Sequence, residues 1–132
     1  MLALLVDDTA GVVATAMTTP TAILLVGLAS WYGPWFDGRL TANGEIFDHR
    51  KLTAATLALP LGSCVRVTRR SPGSQPDRSV VVWLNDRGPY VGARVLDLSY
   101  AAAEKLNMLD DGLAHVIVEA SDECMDKEMC YP

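Results

Sequence analysis

Val81 to Pro89 read V-V-W-L-N-D-R-G-P, so an apolar run ends in one isolated carboxylate, Asp86, followed within two residues by a Gly-Pro turn. At a strand tip a polar side chain is fixed by a rigid scaffold and still within reach of a ligand. A carboxylate so placed can deliver a proton and take one back, which is general acid and base chemistry. Apolar Trp83 and Tyr90 nearby would raise its pKa, whereas Arg87 or Arg94 would lower it. The plain alternative is a turn Asp that accepts hydrogen bonds from neighbouring backbone N–H groups.

Glu45 is the second candidate acid, exposed by the tight Asn43-Gly44 turn that it follows. Asp97 precedes Leu98-Ser99 at a helix start and is expected to cap backbone donors. Trp31 is expected in the core, while Tyr32 and Tyr90 have rings suited to stacking on a ligand. His49 sits in a polar Asp-His-Arg-Lys run and reads as solvated surface; His115 falls on the last strand. No His, Cys or carboxylate spacing suggests a metal site, and no cofactor is expected.

The elements that must position these groups are short. A first strand covers residues 22–32, turns follow at Gly33-Pro34, Asp37-Gly38 and Asn43-Gly44, and residues 51–58 have the composition of a short helix ended by Pro60 and Gly62. Alternation of Val65 and Val67 with Arg66 and Thr68 gives a half-buried strand over 64–68. A Ser/Pro/Gly-rich loop, 71–79, joins it as a hairpin to the strand over 79–85. A short strand over 95–98, a helix from Tyr100 to about Asn107 with Ser99 as N-cap, and a strand over 114–120 complete the tally. Five or six short strands with turns between them point to a small closed barrel.

At 132 residues the chain can build one core. The net charge of −5 is confined to the tails, because residues 30–121 hold ten acids and ten bases. Without a basic face, nucleic-acid binding is excluded as a function class. Residues 1–21 read as a leader or degenerate signal segment, 22–121 as the barrel and 122–132 as an acidic tail. Pro20 and its flanking threonines interrupt the apolar stretch, so no stable membrane span is expected. Of three cysteines, Cys64 lies in an apolar run, while Cys124 and Cys130 are close enough in sequence to pair with each other.

Six blocks occur in order: Ala29-Ser30-Trp31-Tyr32-Gly33, Thr41-Ala42-Asn43-Gly44-Glu45, Leu52-Thr53-Ala54-Ala55, Leu59-Pro60-Leu61-Gly62, Asn85-Asp86-Arg87-Gly88-Pro89 and Asp97-Leu98-Ser99. In these the chain resembles the RlpA-like double-psi β-barrel family. The resemblance implies a mainly β fold, a small six-stranded barrel with one or two short helices, and an extracytoplasmic lytic transglycosylase; a monomer is expected. Such an enzyme cleaves between N-acetylmuramic acid and N-acetylglucosamine in peptidoglycan glycan strands and leaves 1,6-anhydro ends. It further implies Asp86 and Glu45 as catalytic acids, with Thr56, Asn85, Arg87, Tyr90 and Tyr32 expected to contact substrate. Thr56 stands where the family has a histidine, and a threonine hydroxyl carries no proton charge near neutral pH. That loss keeps open a non-catalytic, expansin-like module that binds wall polysaccharide.

Overall fold

The computed structural model describes residues 22–124; the leader expected over 1–21 and the tail beyond Cys124 lie outside the described residues. Six strands, β1 (Ile23–Trp31), β2 (Thr53–Ala55), β3 (Cys64–Arg69), β4 (Arg78–Asp86), β5 (Arg94–Leu98) and β6 (Ala114–Ala120), close into a barrel in the order β1-β5-β2-β4-β3-β6. One helix, α1 (Tyr100–Lys105), and a 3-10 turn at Pro34–Phe36 complete the elements.

Strand alternation builds the core. Val65 and Val67 of β3, Val80, Val82 and Leu84 of β4, Leu96 and Leu98 of β5, and Val116 and Val118 of β6 all point inward and are buried. Leu106 and Met108, just after α1, are buried with them. Burying a Val or Leu side chain is worth about 1.5–3 kcal/mol, so this set supplies most of the drive to close the barrel. Arg69 is the one buried cation in the described residues: its guanidinium donates to the carbonyls of Leu106 and Asn107 and pairs with Asp111 at 2.6 Å.

Residues 51–58 do not form the expected helix. Thr53, Ala54 and Ala55 are extended and buried as β2, wedged parallel to β4 and antiparallel to β5. Pairing on both sides satisfies the backbone and overrides the helical preference of alanine. The cysteine expectation is also corrected: Cys64 is bonded to Cys124, with Cα atoms 5.8 Å apart, while Cys130 lies outside the described residues. After β6 the chain runs back along the start of β3, where Ser121 N–H donates to the Cys64 carbonyl and Arg66 pairs with Glu123. That path brings the thiol of Cys124 to Cys64.

Two connections bind one rim together. The N–H of Tyr32 donates to the Leu98 carbonyl at 3.0 Å, and the N–H of Thr56 to the Asp86 carbonyl at 3.1 Å. The ends of β1, β2, β4 and β5 are thereby locked side by side, and the polar residues at those ends share one surface.

Candidate active site

Asp86 is the last residue of β4. Its Oδ1 accepts the backbone N–H of Ala42 at 2.9 Å and of Arg87 at 2.8 Å. The backbone bonding of an ordinary turn Asp is therefore present, but it falls on one oxygen. Among the described residues Oδ2 has no hydrogen-bond partner, and the side chain lines a pocket of about 170 Å³.

The walls of that pocket come from two sources. Tyr32, Phe36, Arg39, Leu40 and Phe47 belong to the end of β1 and the loop after it; Ala55, Asp86, Arg87 and Asp97 belong to the ends of β2, β4 and β5. The Tyr32 ring packs 4.7 Å from Phe47 and edge-on to Phe36 at 5.7 Å. Its hydroxyl is buried without a hydrogen bond. Burial, reinforced by the charges of Asp86 and Asp97 and opposed by the nearby Thr53 hydroxyl, pushes its pKa well above the usual tyrosine range. Tyr32 thus remains a neutral O–H donor at the pocket floor.

Asp97 departs from its expected role. Ser99, not Asp97, caps α1, accepting the N–H of Ala102 and donating to the Lys51 carbonyl. Leu96 and Leu98 point into the core, so Asp97 between them faces the other way, into the pocket. It accepts a hydrogen bond from Ser30 Oγ at 3.0 Å. Burial raises its pKa above the ordinary aspartate value; the Ser30 bond and Arg94 oppose that shift, while Asp86 adds to it.

Of the other expected contacts, Tyr32 and Arg87 reach the pocket wall, although the Arg87 guanidinium is turned back onto the carbonyls of Thr56 and Leu59. Asn85 is buried, and its amide donates to Glu45 Oε1 at 3.1 Å. Glu45 is therefore tethered one residue from Asp86 and is not among the pocket-lining residues. Thr56, expected to touch substrate, is instead 0 % exposed; its hydroxyl donates to the Val95 carbonyl and accepts the N–H of Ala58. Tyr90 projects from the rim, 76 % exposed.

Asp97 lines the pocket instead of capping a helix, and Phe36, Arg39, Leu40, Phe47 and Ala55 line it without any mark in the sequence. Only Asp97 had a usable signal: alternation in Leu96-Asp97-Leu98 puts it opposite the core side chains.

His49 is half-buried, not freely solvated, with Nδ1 2.6 Å from Asp37 Oδ2. Asp37, Asp48 and His49 bring potential ligand atoms within 4.8 Å of one another, a grouping that their spacing does not suggest. Asp48 is already paired with Arg50, whose hydrogen bonds hold its pKa down at about 2. A larger groove of about 660 Å³ lies on the wall formed by β1, β3 and β6, away from Asp86.

The closed six-stranded barrel, with Asp86, Asp97 and Tyr32 gathered at one rim, defines a double-psi β-barrel with a compact cleft that holds two carboxyl groups. The family model described as lytic transglycolase matches residues 25–118, and the chain belongs to that family. It is 50 % identical over 106 residues to the endolytic peptidoglycan transglycosylase RlpA of Pseudomonas aeruginosa, covering 80 % of this chain and 30 % of that protein. The RlpA proteins of Vibrio cholerae and Neisseria meningitidis are each 50 % identical over 93 residues, 70 % of this chain and 34 % and 37 % of theirs. The chain thus spans about a third of the length of these curated relatives. Among solved structures, a Streptomyces papain inhibitor superposes with a TM-score of 0.54 at 26 % identity, covering 73 % of this chain and 91 % of that one.

Proposed function

We propose that this barrel is an endolytic lytic transglycosylase domain that cleaves peptidoglycan glycan strands between N-acetylmuramic acid and N-acetylglucosamine. The observation that carries the reading is Asp86: one oxygen is anchored by two backbone donors, the other is unbonded, and the carboxyl group lines a pocket. Likeness to the RlpA proteins supports the substrate class.

In this reading protonated Asp86 gives its proton to the glycosidic oxygen as the bond to muramic C1 breaks. The C6 hydroxyl of the same muramic residue then closes on C1, and its proton returns to Asp86. One proton leaves and one comes back, a ring forms, and no water is consumed. A single carboxylate suffices because the nucleophile is internal; the paired carboxylates of an inverting hydrolase, spaced to hold a water, are not required. Asp97 and the Asn85-tethered Glu45 add negative charge near the oxocarbenium-like sugar, and Tyr32 offers its hydroxyl to a sugar oxygen.

The missing family histidine is compatible with this scheme, since no step needs an imidazole. The substrate and the Cys64–Cys124 disulfide both favour an extracytoplasmic setting, where thiols oxidise. No helix among the described residues is long and apolar enough to cross a membrane. We take the acting species to be a monomer.

Digestion of purified glycan strands followed by mass spectrometry tests the proposal. Fragments with anhydro-muramic ends support it; binding without fragments would identify the expansin-like, non-catalytic module instead.

A further inference from the structure

The pocket around Asp86 is too small for more than part of one sugar, so a glycan strand must be held outside it. The aromatic residues of one wall continue outward as a series: Tyr32 at the floor, Phe36 edge-on to it, and Trp35 with its ring 6.2 Å from Phe36. Trp35 is 73 % exposed, an unusual amount for the largest apolar side chain.

Gly33 explains how that ring is held. A Cβ at this position would lie 2.2–2.7 Å from three atoms of the six-membered ring of Trp35, so only glycine lets the indole fold flat against the backbone. The indole is thus backed by the chain at Gly33 while most of the residue stays open to solvent. Tyr90, four residues after Asp86, has its ring at van der Waals distance from the place a Cβ would take on Gly88, where φ is +138°. Flat, pre-positioned aromatic faces beside a cleft match the apolar C–H face of a pyranose and lose little freedom on binding.

Resting on the transglycosylase reading for the identity of the sugar, we infer that Trp35 is the stacking platform of a sugar subsite next to the cleaved bond, with exposed Tyr90, close to Asp86 in the chain, as a second contact for the strand. The platform sets affinity for the strand and takes no part in proton transfer.

Isothermal titration of amidase-stripped glycan strands into the Asp86→Asn protein tests this, because binding is then read without turnover. Trp35→Ala added to that background should weaken binding about tenfold, and Trp35→Phe should stay within about twofold. In the Asp86-containing protein Trp35→Ala should raise KM with kcat nearly unchanged. Should Trp35→Ala lower Tm, Trp35→Leu, which keeps bulk over Gly33 without an aromatic face, takes its place.

Equal affinities with and without the indole overturn the inference, as does the absence of measurable binding by the Asp86→Asn protein itself. The two readings fail separately. Unchanged affinity alongside anhydro products would leave the transglycosylase standing, whereas indole-dependent binding with no products would support the platform and remove the enzyme.

Discussion

Asp86 and Asp97 are register partners of the same residue, Ala55: β4 brings Asp86 to it in parallel pairing, and β5 brings Asp97 to it in antiparallel pairing. The two carboxyl groups are thereby held on one rim, separated by a strand whose own side chain is a methyl group. The smallness of Ala55 keeps the space between them open. Such a pair repels when both groups are ionised, which is why each acid figures in the electrostatics of its surroundings.

Asp97 gives a prediction in which stability and activity move in opposite directions. Its folded pKa is raised, chiefly by burial, so the folded state holds the proton to higher pH than the unfolded chain does. Stability is then greatest below the unfolded aspartate pKa and declines as pH rises through the folded one. Asp97→Asn removes that penalty: Tm should rise at neutral pH, show no gain near pH 3, and be accompanied by slower turnover. Thermal melts across pH, set beside rates, check both halves.

Tyr32→Phe removes a buried hydroxyl that lies near the Thr53 hydroxyl and makes no well-formed hydrogen bond in the free protein. Stability should be unchanged or slightly higher, because no well-formed bond is lost. Turnover should fall about tenfold if the hydroxyl meets a sugar oxygen in the transition state. Equal rates for the two proteins would show that the hydroxyl takes no part.

Thr56→Val keeps the shape of a buried side chain while removing its bonds to Val95 and Ala58. The cost should be about 1–3 kcal/mol in denaturant unfolding, with KM of the folded protein unaltered. A raised KM without a stability loss would return Thr56 to the substrate.

The Cys64–Cys124 bridge joins positions 60 residues apart. Closing a loop of that size should stabilise the barrel by about 4 kcal/mol on chain-entropy grounds. Peptide mapping under non-reducing conditions should recover Cys64 linked to Cys124, and reduction should lower Tm by several degrees. A Cys124–Cys130 peptide would contradict the assignment.

What could be read from the sequence follows from how local its cause is. β6 and the core side chains of β3 and β4 were legible because alternation alone decides which face is buried. Asp86 was legible as the polar end of an apolar run. β2 was not, since three small residues take strand form only when β4 and β5 flank them. The disulfide was misread because closeness in sequence favoured Cys124 and Cys130, whereas the route of the chain past Cys64 is a tertiary fact. Asp97 was misread for a narrower reason: two residues compete to cap α1, and Ser99 has the spacing to Ala102 that the cap requires. Trp35 carried no signal at all, because its exposure depends on Gly33 lying beneath it.

Digestion in water labelled with heavy oxygen tests the proton cycle at Asp86 most directly. Glycan strands should be cut to anhydro-muramic fragments that carry no label, and Asp86→Asn should lower the rate at least 100-fold while the barrel melts as before. Labelled reducing ends, or cleavage that persists in folded Asp86→Asn, would contradict an internal sugar nucleophile served by that one carboxylate.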